Sequence, residues 1–186
     1  MATRARTRGV EGFTILEVMF SIAVLTIGLL SLLSLFALAA ASVKYSQEDL
    51  IAKQKAREAI EGVYSARNDT FLTFDSIQNV GNGGGIFKNG FNSLYLAGSN
   101  GIVGTTQDTT TLDSIKQPGP DGRLGTADDV TIPLNNYSRQ ILFAPITNAD
   151  GSTNQDYRHV TVTVRVTSPG RGTRDYSESA FISRFP

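Results

Sequence analysis

The 186-residue chain has no cysteine and a single histidine. Without a thiol there is no disulfide to staple a domain, no thiolate nucleophile and no sulfur ligand for a metal. One histidine, His159, leaves zinc without its usual donor set; it lies in an alternating segment and reads as a strand side chain. Composition alone permits a Ser-His-Asp arrangement, but no Gly-x-Ser-x-Gly elbow accompanies it, and the sequence points away from an enzyme. An excess of one charge is missing as well. Lys and Arg number 17 and so do Asp and Glu, so bulk charge gives no ground for expecting a nucleic-acid partner.

A more local absence decides the class. No charged side chain stands between Glu17 and Lys44, and residues 18–41 are almost wholly Val, Ile, Leu, Phe, Met and Ala, relieved by Ser21, Thr26, Gly28, Ser31 and Ser34. At about 1.5 Å per residue such a run exceeds the roughly 30 Å hydrocarbon layer of a bilayer. An isolated span must satisfy its own backbone in lipid, which leaves the helix as its conformation. Arg4, Arg6 and Arg8 precede the run and Lys44 is the first cation after it. The positive-inside rule then puts the N-terminus in the cytoplasm and everything after about Val43 outside it. A secretory signal would carry a core of roughly 7–15 apolar residues with its cleavage site beyond it. Here the candidate processing site comes before the run.

That site is the ordered string Gly12, Phe13, Thr14, Ile15, Leu16, Glu17, Val18, following a basic leader. It resembles the processing signal of the type IV pilins, and the resemblance covers about the first third of the chain. The resemblance implies that a prepilin peptidase cuts between Gly12 and Phe13 on the cytoplasmic face, that the new Phe13 amine is methylated, and that the hydrophobic helix is kept. It also implies a role for Glu17, which would pair with the cationic amine of another subunit's first residue during filament assembly. An acid one turn inside an apolar helix is expensive and usually functional. Glu17 also complements the helix N-terminal dipole, worth about 0.3–1 kcal/mol, and the two roles are compatible. Without Arg4, Arg6, Arg8 and Glu11 the processed chain would carry 14 basic and 16 acidic residues.

The function implied is that of a minor type IV pilin, a structural subunit that is incorporated into a pilus or primes it. Ile27-Gly28-Leu29-Leu30 and the long apolar helix look most like the PilV type of pilus modification protein. A minor pseudopilin of a type II secretion system is the alternative within that class. A membrane-anchored surface adhesin or binding module is the alternative from another. The partners implied are prepilin peptidase, other pilin or pseudopilin subunits, an inner-membrane assembly platform and membrane lipid. The location implied is the bacterial inner membrane, then the pilus or pseudopilus. Many pilins close a C-terminal loop with a disulfide; this chain would need packing or another cross-link.

The expected organisation is a leader at 1–12, a membrane or filament-core helix at 13–43, its amphipathic continuation at 44–68, a glycine-rich variable region at 69–136 and an antiparallel sheet at 137–186. In the continuation Ala52, Ala56, Ala59, Ile60 and Val63 recur at three- and four-residue spacing, with Lys53, Lys55, Arg57, Glu58 and Glu61 on the other faces. Gly81-Asn82-Gly83-Gly84-Gly85 lacks the Gly-Lys-Ser/Thr of a phosphate loop and reads as a mobile loop. Val160, Val162, Val164 and Val166 alternate with Thr161, Thr163, Arg165 and Thr167, a strand buried on one face. Residues 138–146 and 175–185 supply neighbouring strands, the latter after a turn at Pro169-Gly170-Arg171-Gly172. A long helix packed on such a sheet is an α+β fold, the pilin-like architecture.

One acidic segment stands apart, from Pro118 to Asp129. Asp121, Asp128 and Asp129, spaced by glycines, can offer oxygens to a hard cation, with carbonyls such as that of Arg123 completing the shell, so calcium is the candidate ligand. The segment resembles acidic Gly-Asp loops of extracellular bacterial proteins, and some pseudopilins use a calcium-bound loop where others use a disulfide. No cofactor is required otherwise. A pair of tight turns that needs no metal is the competing reading.

Overall fold

The computed structural model describes residues 12–69, 72–81 and 83–185. Arg4, Arg6, Arg8, Glu11 and Asn82, used above, lie outside the described residues. The chain divides into two compact units, Met1–Lys44 and Tyr45–Pro186, and one helix, α1 (Ile15–Asn68), contributes to both.

In the first unit α1 is apolar on every side. Its most hydrophobic 18-residue window has a mean hydropathy of 2.5 and none of it is buried, so the helix is long and apolar enough to cross a membrane. The few hydroxyls are satisfied locally. Ser21, Thr26, Ser31 and Ser34 donate to the carbonyls of Glu17, Ile22, Ile27 and Leu30 at 2.7–3.0 Å, which removes the penalty of an unpaired polar group in an apolar medium.

In the second unit α1 changes character. Ala52, Ala56, Ala59, Val63 and Ala66 form a buried stripe, one residue longer than the spacing predicts, while Ile60 is half-buried beside it. The stripe shares a core with a four-stranded antiparallel sheet in the order β1 (Asn92–Ser93), β4 (Tyr137–Thr147), β5 (Thr153–Ser168), β6 (Gly172–Ser183). The alternating valines of β5 are all fully buried, and Tyr137, Ile141 and Phe143 of β4 extend their face. The pairing register, Ile141 beside Val162 and Val162 beside Glu178, keeps these side chains on one side. Gly170 and Gly172 close the β5–β6 turn at φ 82° and 77°, and a Cβ on Gly170 would stand 3.2 Å from the Tyr45 hydroxyl.

Between helix and sheet, residues 69–136 hold a 3-10 turn (Phe74–Ser76) and a two-stranded ribbon of β2 (Ser114–Gln117) and β3 (Val130–Pro133). The glycine-rich segment also contributes fully buried Ile77, Phe87 and Leu94 to the same core. The glycine cluster, read above as a mobile loop, is tied at both ends. Val80 N–H donates to Phe87 O at 2.9 Å, Phe87 N–H to Gln78 O at 3.1 Å, and Gly85 lies so close to the Asn79 carbonyl that no side chain fits.

Asn79 itself closes a gap in the sheet. Beyond the two residues of β1, its buried side-chain amide donates to Ile141 O at 2.7 Å and accepts from Phe143 N–H at 3.0 Å, so it substitutes for a neighbouring strand. Asn79→Ala strips the partner from two buried backbone groups and is expected to destabilise the second unit by about 2–4 kcal/mol, read from the denaturation midpoint at unchanged slope.

Candidate functional site

The N-terminal end of α1 is built by its own sequence. Thr14 is the N-cap: its carbonyl accepts the Val18 N–H and its hydroxyl accepts the Glu17 N–H, both at 3.2 Å. Thr14-Ile15-Leu16-Glu17 has the threonine and glutamate of a capping box, a signal present in the string but missed in favour of its resemblance. Glu17 therefore stands in the first turn, where its charge meets the positive end of the helix dipole. Gly12 and Phe13 precede the helix in exposed chain without secondary structure, and Phe13 is 83% exposed. The Gly12–Phe13 peptide is thus outside the hydrogen-bonded helix and accessible. Glu17 is exposed too, as are the large apolar side chains that follow it through Leu38.

The acidic segment forms the connection between β2 and β3 as two turns whose carboxylates bond within the loop. Asp121 Oδ1 accepts the Arg123 N–H at 2.8 Å and Asp128 Oδ2 accepts the Asp121 N–H at 3.2 Å. The Thr126 hydroxyl lies 2.6 Å from Asp128 Oδ1 and 3.2 Å from the Arg123 carbonyl, the group expected to complete a calcium shell. Asp129 Oδ2 accepts the Gly125 N–H at 2.8 Å, while its Oδ1 is buried without a protein partner. The Thr126 hydroxyl, with the Asp121 N–H, holds the Asp128 carboxyl below its ordinary pKa. Among the described residues no group of three or more His, Asp or Glu side chains is arranged to hold a metal ion. Asp121, Asp128 and Asp129 are engaged as turn acceptors.

His159 packs its ring on Phe181 across the β5–β6 pair, with centroids 4.8 Å apart. Polar and charged contacts invisible to spacing lie along the helix of the second unit. Near its start Glu48, 8% exposed, receives the Ser168 hydroxyl, and Asp49 pairs with Arg174 at 2.5 Å and Arg171 at 3.3 Å. Burial and the nearby Glu48 and Asp49 charges push the Tyr137 hydroxyl up to about 12. In the middle Lys55, placed by spacing on a face other than the apolar stripe, is largely buried and touches both Glu58 and Asp113. Near the end Arg67 donates to the Ser183 carbonyl at 2.9 Å and to that of Phe185.

No family model, curated protein or solved structure matches this chain.

The self-bonded acidic loop predicts the same melting temperature in millimolar calcium and in chelator. A rise with calcium that disappears in Asp128→Ala would show instead that the loop rearranges around the cation.

Proposed function

We propose that this protein is a minor type IV pilin, a structural subunit anchored by α1 and built into or priming a pilus. The observation that carries the reading is the conjunction at residues 12–17: an accessible Gly12–Phe13 peptide, a helix that starts two residues later, and one carboxylate in its first turn ahead of an all-apolar run. Cleavage after Gly12 would place a positive α-amine at Phe13, next to the positive end of the helix dipole, where it is disfavoured. Glu17 offsets that charge. In a filament the Glu17 of one subunit would serve the Phe13 amine of another, and the exposed apolar surface of 13–43 would exchange lipid for neighbouring helices. The same surface supports membrane insertion with the N-terminus in the cytoplasm and the second unit outside, given the flanking arginines and Lys44. Prepilin peptidase, other pilin subunits and an inner-membrane assembly platform follow as partners. The PilV type of pilus modification protein is the narrower version of this reading.

Intact-mass and N-terminal analysis of the membrane-extracted protein, with and without a co-expressed prepilin peptidase, tests it. A chain starting at methylated Phe13 only when the peptidase is present is the expected result, and Glu17→Gln is expected to keep cleavage while losing incorporation into filaments. A chain that keeps its leader beside an active peptidase contradicts the proposal and favours a permanently anchored surface protein.

A further inference from the structure

Lys55 reaches inward from α1 toward Asp113, the residue before β2. Its Nζ lies 2.6 Å from Asp113 Oδ2 and 2.6 Å from Glu58 Oε2, with Lys55 and Asp113 side chains only 16% and 10% exposed and Glu58 at 41%. The backbone of Asp113 is held on both sides, its N–H by Leu94 O at 2.8 Å and its carbonyl by the Leu134 N–H at 2.9 Å. Its other carboxyl oxygen, Oδ1, accepts the Ser114 N–H at 2.7 Å. Tyr95, Val103 and Gly62 wall the cleft around the three charges. An amine, a carboxyl carbon, a second carboxylate on the amine and a backbone N–H on the carbonyl oxygen make up the components of acyl transfer.

We infer that Lys55 and Asp113 condense into an intramolecular amide, with Glu58 relaying the second of the two protons that leave the amine. The inference is independent of the pilin reading. The overall change joins an ammonium and a carboxylate into an amide and releases one water, so no oxidant or co-reactant is needed. Two protons leave Nζ and both end on Oδ2. The first neutralises the pair, leaving a free amine and a carboxylic acid. The nitrogen lone pair then forms the bond to Cγ while charge develops on Oδ1, where the Ser114 N–H already points. Glu58 takes the second proton from nitrogen and delivers it to Oδ2, the Cγ–Oδ2 bond breaks, and water departs through the cleft. Positioned groups of this kind reach effective concentrations of about 10⁵–10⁸ M, enough to overcome the unfavourable balance of amide formation in bulk water. Burial pushes the Lys55 ammonium pKa down, but its hydrogen bonds to Asp113 and Glu58 outweigh this and leave it raised, so the ion pair is the resting state and the first proton transfer is an unfavourable pre-equilibrium ahead of the slower steps that Glu58 assists. The product ties α1 to the ribbon and encloses the glycine-rich segment, a cross-link in a chain without cysteine.

Peptide mapping of the full-length, detergent-extracted protein tests the bond. The expected result is an intact mass lower than that of the same chain by one water, with tryptic peptide 54–57 joined to peptide 89–116 and the link absent from Asp113→Ala. In Glu58→Gln, a change at a partly exposed position, the link is expected to form about 10²–10⁴-fold more slowly while circular dichroism is unchanged. Unmodified Lys55 and Asp113 in separate peptides of the wild-type protein overturn the inference. So does a water lost at Asp121-Gly122 as a cyclic imide with Lys55 intact. A link that forms in Glu58→Gln at the wild-type rate removes Glu58 from the chemistry.

Discussion

The second unit depends on one buried core that the small-residue stripe of α1 shares with the valine ladder of β5. Four alanines and Val63 on α1 and four β-branched side chains on alternate positions of one central strand are all buried in it. The pairing is specific in both directions. An alanine enlarged would force the helix away from fully packed neighbours, and a one-residue slip of β5 would turn its threonines and Arg165 into the core. Polar side chains along the edges of the stripe reach the sheet and the intervening segment.

Those edges are where the charges cluster. Glu48 with Ser168 and Asp49 with Arg174 anchor the start of the packed stretch, Lys55 with Asp113 its middle, and Arg67 with the Ser183 carbonyl its end. Exposed pairs such as Arg57 with Glu178 add little, about 0–1 kcal/mol. The partly buried ones act mainly by penalising alternatives, since breaking a pair leaves a charge without its partner in a poorly solvated place. The helix is thereby fixed in rotation and in axial position. Among the described residues no ion pair joins its first-unit half to the second unit. That half is apolar all round, which suits a medium with no preferred side.

Legibility followed the range of the interactions. The apolar run, the helix stripe, the alternation of 160–167 and the turn at Pro169–Gly172 are local patterns, and the elements formed within a few residues of where those patterns placed them. The capping box at Thr14 and Glu17 was local as well and was overlooked because the same letters carried a resemblance. Asn79 had no local signal. Its amide serves two backbone groups 62 and 64 residues away, and nothing in a glycine-rich stretch distinguishes such an asparagine from a turn residue. Helical spacing puts Lys55 off the apolar stripe and cannot show that Asp113 comes to meet it. The buried Phe87 and Leu94 were likewise hidden, each a short apolar island between glycines with no period to read.

The proposed function requires that α1, long and apolar enough to cross a membrane, puts residues 1–12 and the second unit on opposite sides of one. The absence of native cysteine makes a direct measurement available: single substitutions Thr3→Cys and Ser179→Cys, expressed without prepilin peptidase in intact cells with permeable outer layers and exposed to a membrane-impermeant maleimide. Ser179 is exposed on β6, so the account predicts labelling of Ser179→Cys in intact cells and of Thr3→Cys only after the inner membrane is broken. Labelling of Thr3→Cys in intact cells, or protection of Ser179→Cys until lysis, would contradict it.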